Sequence, residues 1–66
     1  MRLKVDNESD ALYLRLDDSK IMESEEVSPG VIIDFNDKGV AVGIEILNLS
    51  TRIEKEKIKQ FLYEVV

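Results

Sequence analysis

Five carboxylates lead any search for chemistry in this chain: Glu23, Glu25 and Glu26 stand close together, and Asp34 and Glu45 follow on two later apolar segments. Paired carboxylates can exchange a proton in acid–base catalysis or hold Mg²⁺ or Ca²⁺ through hard oxygen donors. A carboxylate-based metal-binding or minor enzymatic domain is therefore the alternative reading. Against it, the alternating acidic pattern of a calcium loop is absent, and carboxylates that alternate with apolar residues along a strand ordinarily face solvent. Ser24 and Ser28 are candidate nucleophiles, but the chain has no histidine to activate a hydroxyl and no cysteine for thiolate, disulfide or zinc chemistry. Gly30, Gly39 and Gly43 do not have the spacing of a phosphate or dinucleotide loop, and suit a bend, a turn and a small strand position. These residue types point to a non-enzymatic protein with no cofactor and no metal.

The charge balance narrows the partners. Fourteen acidic residues against nine basic ones leave a net charge of -5, which opposes a nucleic-acid surface; Arg2, Lys4 and Arg15 are the cations such a surface would need. No segment approaches the ~20 apolar residues of a membrane span, and the alternating start Met1-Arg2-Leu3-Lys4-Val5 lacks the apolar core of a secretion signal. Cytoplasm is the expected compartment. With 66 residues the chain reads as one domain, 1–66. A core of that size rarely supplies more than about 3–5 kcal/mol, so without disulfide or metal, self-association as a homodimer or higher assembly is expected.

The elements that must position these residues follow from periodicity. The runs 30–35 and 40–47, joined by Asn36-Asp37-Lys38-Gly39, predict a hairpin with Phe35 opposite Val40, Ile33 opposite Val42 and Val31 opposite Ile44. The run 2–6, a turn at Asn7-Glu8-Ser9-Asp10 and the run 10–16 predict a second hairpin, pairing Val5 with Leu12 and Leu3 with Leu14. Asp17-Asp18-Ser19-Lys20 is a further turn, 21–27 a strand weakened by its glutamates, and Ser28-Pro29-Gly30 a bend. From Thr51 the period becomes helical. Thr51 and Glu54 fit a capping box, and Ile58, Phe61, Leu62 and Val65 form one apolar stripe, predicting a helix near 51–64. The fold class is α+β: an antiparallel β-meander of four to five strands with one C-terminal amphipathic helix packed on one face.

On the sheet face away from that helix, Tyr13, Ile32, Ala41, Gly43 and Leu47 form an apolar patch rimmed by Arg15, Asp34 and Glu45, the pattern of a protein interface. The acidic residues Glu23, Glu25, Glu26, Asp34 and Glu45 would steer a basic protein partner toward it.

Three spaced blocks carry a family resemblance. Asp10-Ala11-Leu12-Tyr13-Leu14, then Glu23-Ser24-Glu25-Glu26-Val27 with Pro29-Gly30-Val31-Ile32-Ile33-Asp34, then Val42-Gly43-Ile44-Glu45-Ile46-Leu47 with Ser50, resemble the small prokaryotic family called domain of unknown function 2283. The resemblance implies a β-meander with a terminal helix and no established activity. Because members are often encoded beside small ribonuclease-like toxins, it also implies an antitoxin-like partner of a small basic toxin. No separate DNA-binding element is present to support autoregulation.

Overall fold

A computed structural model of the protein describes residues 1–60 and 63–65. Five strands form one antiparallel sheet: β1 (Arg2–Asp6), β2 (Ala11–Arg15), β3 (Glu23–Ser28), β4 (Val31–Phe35) and β5 (Ala41–Ile46). Their order is β1-β2-β5-β4-β3. The chain is thus not a continuous meander: β3, β4 and β5 form one, and the β1–β2 hairpin is added to the free edge of β5. The glutamate-rich β3 is exposed along its whole length. Its place at the outer edge keeps those carboxylates in water and discourages pairing with a second acidic strand such as its own copy.

Turn chemistry sets the hairpins. The Asn36 carboxamide oxygen accepts the amides of Lys38 at 2.9 Å and Val40 at 3.0 Å, and Gly39 takes the positive φ of 75° that closes the β4–β5 turn. At the β3–β4 turn Gly30 does the same. There the carbonyl of Pro29 receives Arg52 Nη2 at 2.6 Å, so the segment after β5 is tied back to that turn.

The first hairpin has the predicted register, with Leu3 opposite Leu14 and Val5 opposite Leu12. The central hairpin does not: Ile33 lies opposite Ile44 and Val31 opposite Ile46, two residues away from the expected pairing. The cause is an irregularity on β5. Asp34 pairs with Gly43 but Phe35 pairs with Ala41, which leaves Val42 as an extra residue with no partner on β4. The carbonyl of Val42 is used from the other side, accepting the Leu16 amide at 2.8 Å. Because the shift is by two, the faces of Val31, Ile33, Ile44 and Ile46 are preserved.

Among the described residues of the expected helix over 51–64 there is no α-helix: the segment carries two short 3-10 turns, Leu49–Thr51 and Lys55–Lys57. Thr51 does not cap. Its hydroxyl donates to the Asn48 carbonyl at 2.7 Å, and Glu54 is extended with no side-chain cap bond. A charged stretch this short is marginal as a helix without packing to hold it. Phe61 and Leu62 of the predicted stripe lie outside the described residues, while Ile58 lines a cavity with Val5 and Lys55. Among the described residues Val42 and Leu49 are the buried hydrophobic side chains. The position of Leu49 is held by Asp10, whose carbonyl accepts the Leu49 amide at 2.9 Å and whose carboxylate accepts the Ser50 amide at 3.0 Å and hydroxyl at 2.7 Å.

Candidate functional site

Strand pairing sorts the side chains into two faces. One carries the rows Leu3–Leu14–Ile44–Ile33–Glu25 and Val5–Leu12–Ile46–Val31. The other carries Arg2–Arg15–Gly43–Asp34–Ser24 and Lys4–Tyr13–Glu45–Ile32–Glu26. The second face holds the groups capable of chemistry.

Asp34 sits at the centre of that polar face and is 1% exposed. The sequence reading placed it on a rim; the sheet buries it, because its neighbours across β3 and β5 are the small residues Ser24 and Gly43. Ser24 Oγ donates to Asp34 Oδ1 at 2.5 Å. Asp34 Oδ2 is buried with no hydrogen-bond partner, a state that costs about 1–3 kcal/mol for a polar group. Glu45 lies diagonally across from it. Burial first, then the neighbouring Asp34 carboxyl, push the Glu45 carboxyl above the usual range. The raised Glu45 carboxyl is biased toward its protonated form, which would be a donor beside the unpartnered Asp34 Oδ2.

Gly43 is the floor of this arrangement. A Cβ there would stand 3.0 Å from Asp34 Oδ2 and 3.1 Å from the Tyr13 hydroxyl. Tyr13 is in turn fixed by Arg15, whose Nη1 donates to its hydroxyl at 3.2 Å. The rest of the Arg15 guanidinium is occupied by main chain: Nε donates to the Asp17 carbonyl at 2.6 Å and Nη2 to the Ser19 carbonyl. The Asp17 carboxyl holds the same turn by accepting the Ser19 hydroxyl and amide, which lowers its proton affinity. Asp6 is lowered in the same way, by Ser9 through its hydroxyl and amide and by the Glu8 amide.

The predicted patch is thereby redistributed. Tyr13, Ile32 and Gly43 do share one face, with Leu47 just beyond β5, but Gly43 is buried under Asp34 and Tyr13. Ala41 pairs with Phe35 beyond the irregularity and belongs to the other face. The five acidic residues do not form one surface either. Glu23 and Glu25 stand on the apolar side, opposite Phe35 and Ile33, and Glu26 on the polar side, opposite Ile32. Asp34 is inaccessible to any partner. The sequence reading missed Ser24 as the Asp34 donor. The available signal was an acidic residue flanked in both neighbouring strands by small ones, which leaves room to bury it.

Among the described residues, no group of three or more His, Cys, Asp or Glu is placed to hold a metal ion, and no helix is long and apolar enough to cross a membrane. No curated protein and no solved structure matches the chain. The family model described as a protein of unknown function, DUF2283, matches residues 2–50, spanning all five strands and reaching into the turn that buries Leu49, and the chain belongs to that family.

Proposed function

We propose that this protein is a non-enzymatic interaction module that self-associates through the apolar face of its sheet. The observation that carries the reading is the exposure of that face. Leu3 is 40% exposed, and Val5, Leu12, Leu14, Val31, Ile33, Ile44 and Ile46 are only half-buried. A layer of secondary structure with one apolar face is stable when a second layer covers it, and two such sheets pack ~10 Å apart in a sandwich. A second copy supplies a matching face by two-fold symmetry.

The area predicts the strength. Five strands spaced ~4.8 Å apart, each about five residues long at ~3.3 Å per residue, give about 400 Å² of projected face per copy. Two copies together hide about 800 Å², below the ~1,200–2,000 Å² of stable specific interfaces and in the range of weak, transient ones, so the dimer forms in a concentration-dependent way. Sedimentation velocity across protein concentration tests this. A dimer that dissociates on dilution is expected, and a monomer at every concentration up to ~100 µM, about where a ~-5.5 kcal/mol association would be half-complete, overturns it.

A second reading, neutralisation of a small basic protein in the manner of an antitoxin, is supported by β3. This edge strand has one backbone side unpaired and presents Glu23, Glu25 and Glu26 to solvent, so a partner strand bearing Lys or Arg could extend the sheet with charge complementarity. The carboxylate-based metal or enzymatic alternative has the Asp34–Glu45 pair as its support.

A further inference from the structure

On the outer half of the polar face, Arg2, Lys4, Tyr13 and Arg15 line a cavity of about 220 Å³. Arg2 is directly opposite Arg15, and Lys4 directly opposite Tyr13. Like charges in directly opposed positions destabilise a sheet, and in a chain with 14 acidic residues such a pairing stands out. Its charge is compensated from within only in part: Lys4 and Arg15 lie close enough to Asp6 and Asp17 to help lower those carboxyls. Arg2 reaches only Asp18, at 3.5 Å, with both side chains at least 74% exposed, a contact worth little. Among the described residues Arg15 and Lys4 have no carboxylate within ion-pair distance.

We propose that this cavity binds the phosphate group of a small phosphate ester. Arg15 is held in place before any ligand arrives, since three of its N–H groups are bound to the carbonyls of Asp17 and Ser19 and to the Tyr13 hydroxyl. Of the five donors of a guanidinium, two remain, one on each Nη. Tyr13 accepts from Arg15, which leaves its own O–H available as a donor. Arg2 and Lys4 close the site from β1. The result is a ring of donors and up to three positive charges around one small cavity, the chemistry that recognises a tetrahedral dianion. Glu45, directly opposite Tyr13 on β5, bounds the site on its inner side. With the net charge of -5, it opposes an extended polyanion, so a free phosphate ester fits better than a nucleic-acid backbone.

The test is an NMR titration of the full chain with inorganic phosphate, with adenosine monophosphate and with a ten-nucleotide single-stranded DNA, at constant ionic strength against sodium chloride. Saturable shifts of the Arg2–Val5 and Tyr13–Arg15 amides with phosphate and with the mononucleotide are expected. The double variant Arg2→Ala, Lys4→Ala changes two exposed side chains and leaves the Arg15 brace intact; it is expected to weaken binding by roughly tenfold or more, the loss of at least one charge-assisted hydrogen bond. Shifts no larger than those produced by chloride, or equal saturation in the variant, would overturn the site. Tighter binding of the oligonucleotide than of the mononucleotide would overturn its assignment to a small ester.

Discussion

Replacing Glu45 with glutamine tests whether Glu45 and Asp34 share a proton. In the protein the raised Glu45 carboxyl favours the protonated form on folding. Its contribution to stability is therefore fully present below the unfolded value of 4.5, and it is lost as pH rises through the raised folded value. Glutamine offers Asp34 Oδ2 an N–H donor at every pH and removes the like charge. Leaving Oδ2 unpaired costs about 1–3 kcal/mol, and a new donor recovers part of that, so Glu45→Gln is expected to stabilise the protein by about 1 kcal/mol at pH 7. For a domain of this size the melting temperature rises by about 4–8 °C. Near pH 4.5 the advantage disappears, because Glu45 itself then carries the proton. Asp6 and Asp17, both lowered from the ordinary value of 3.8, act in the opposite sense. Their contributions are present above 3.8 and are lost as pH falls through their lowered folded values, in wild type and variant alike. Urea unfolding followed by circular dichroism at pH 4.5, 5.5 and 7 isolates the Glu45 effect. A difference between variant and wild type that stays constant with pH, or a variant less stable at pH 7, would refute the shared-proton account.

Other substitutions separate the remaining contributions. Gly43→Ala places a methyl 3.0 Å from Asp34 Oδ2 and 3.1 Å from the Tyr13 hydroxyl; crowding of this kind costs about 1–3 kcal/mol, and Tyr13→Phe in the same background should recover part of the loss in a melting experiment. Asp10→Ala removes the acceptor of both Ser50 bonds and should lower stability by about 1–3 kcal/mol, with amide exchange increasing first around Leu49. Leu14→Lys puts an ammonium in the middle of the apolar row. An unpaired charge buried there costs about 3–5 kcal/mol, so sedimentation should show association weakened by at least a hundredfold, with circular dichroism reporting an unchanged sheet.

The period-of-two alternation of Leu3, Val5, Leu12 and Leu14 was enough to place the first hairpin residue by residue, because its turn and its apolar pattern agree on one register. Face assignment on the central hairpin was legible for Val31, Ile33, Ile44 and Ile46, since a slip of two keeps those side chains on their side, but not for Ala41, which the irregularity at Val42 moves to the other face. The pairing itself was not. The irregularity at Val42 has no signature in alternation, and its carbonyl is satisfied by Leu16 on β2, a strand distant in sequence. Strand order was also beyond local reading. Nothing near 21–27 says that β3 must avoid β2; it goes to the edge because a row of exposed glutamates cannot occupy the middle of a sheet, and β2 then pairs with β5. Over the described residues 51–60 the expected helix is not formed, since periodicity records what a segment could bury and not whether the surrounding structure holds it as a helix. The polar face makes the same point. Composition and spacing identified Asp34 and Glu45 as carboxylates worth watching, but only the alignment of β3, β4 and β5 put Ser24 and Gly43 on either side of Asp34. Lateral register, a property of the whole sheet, turned a surface carboxylate into a buried one with an unfilled acceptor.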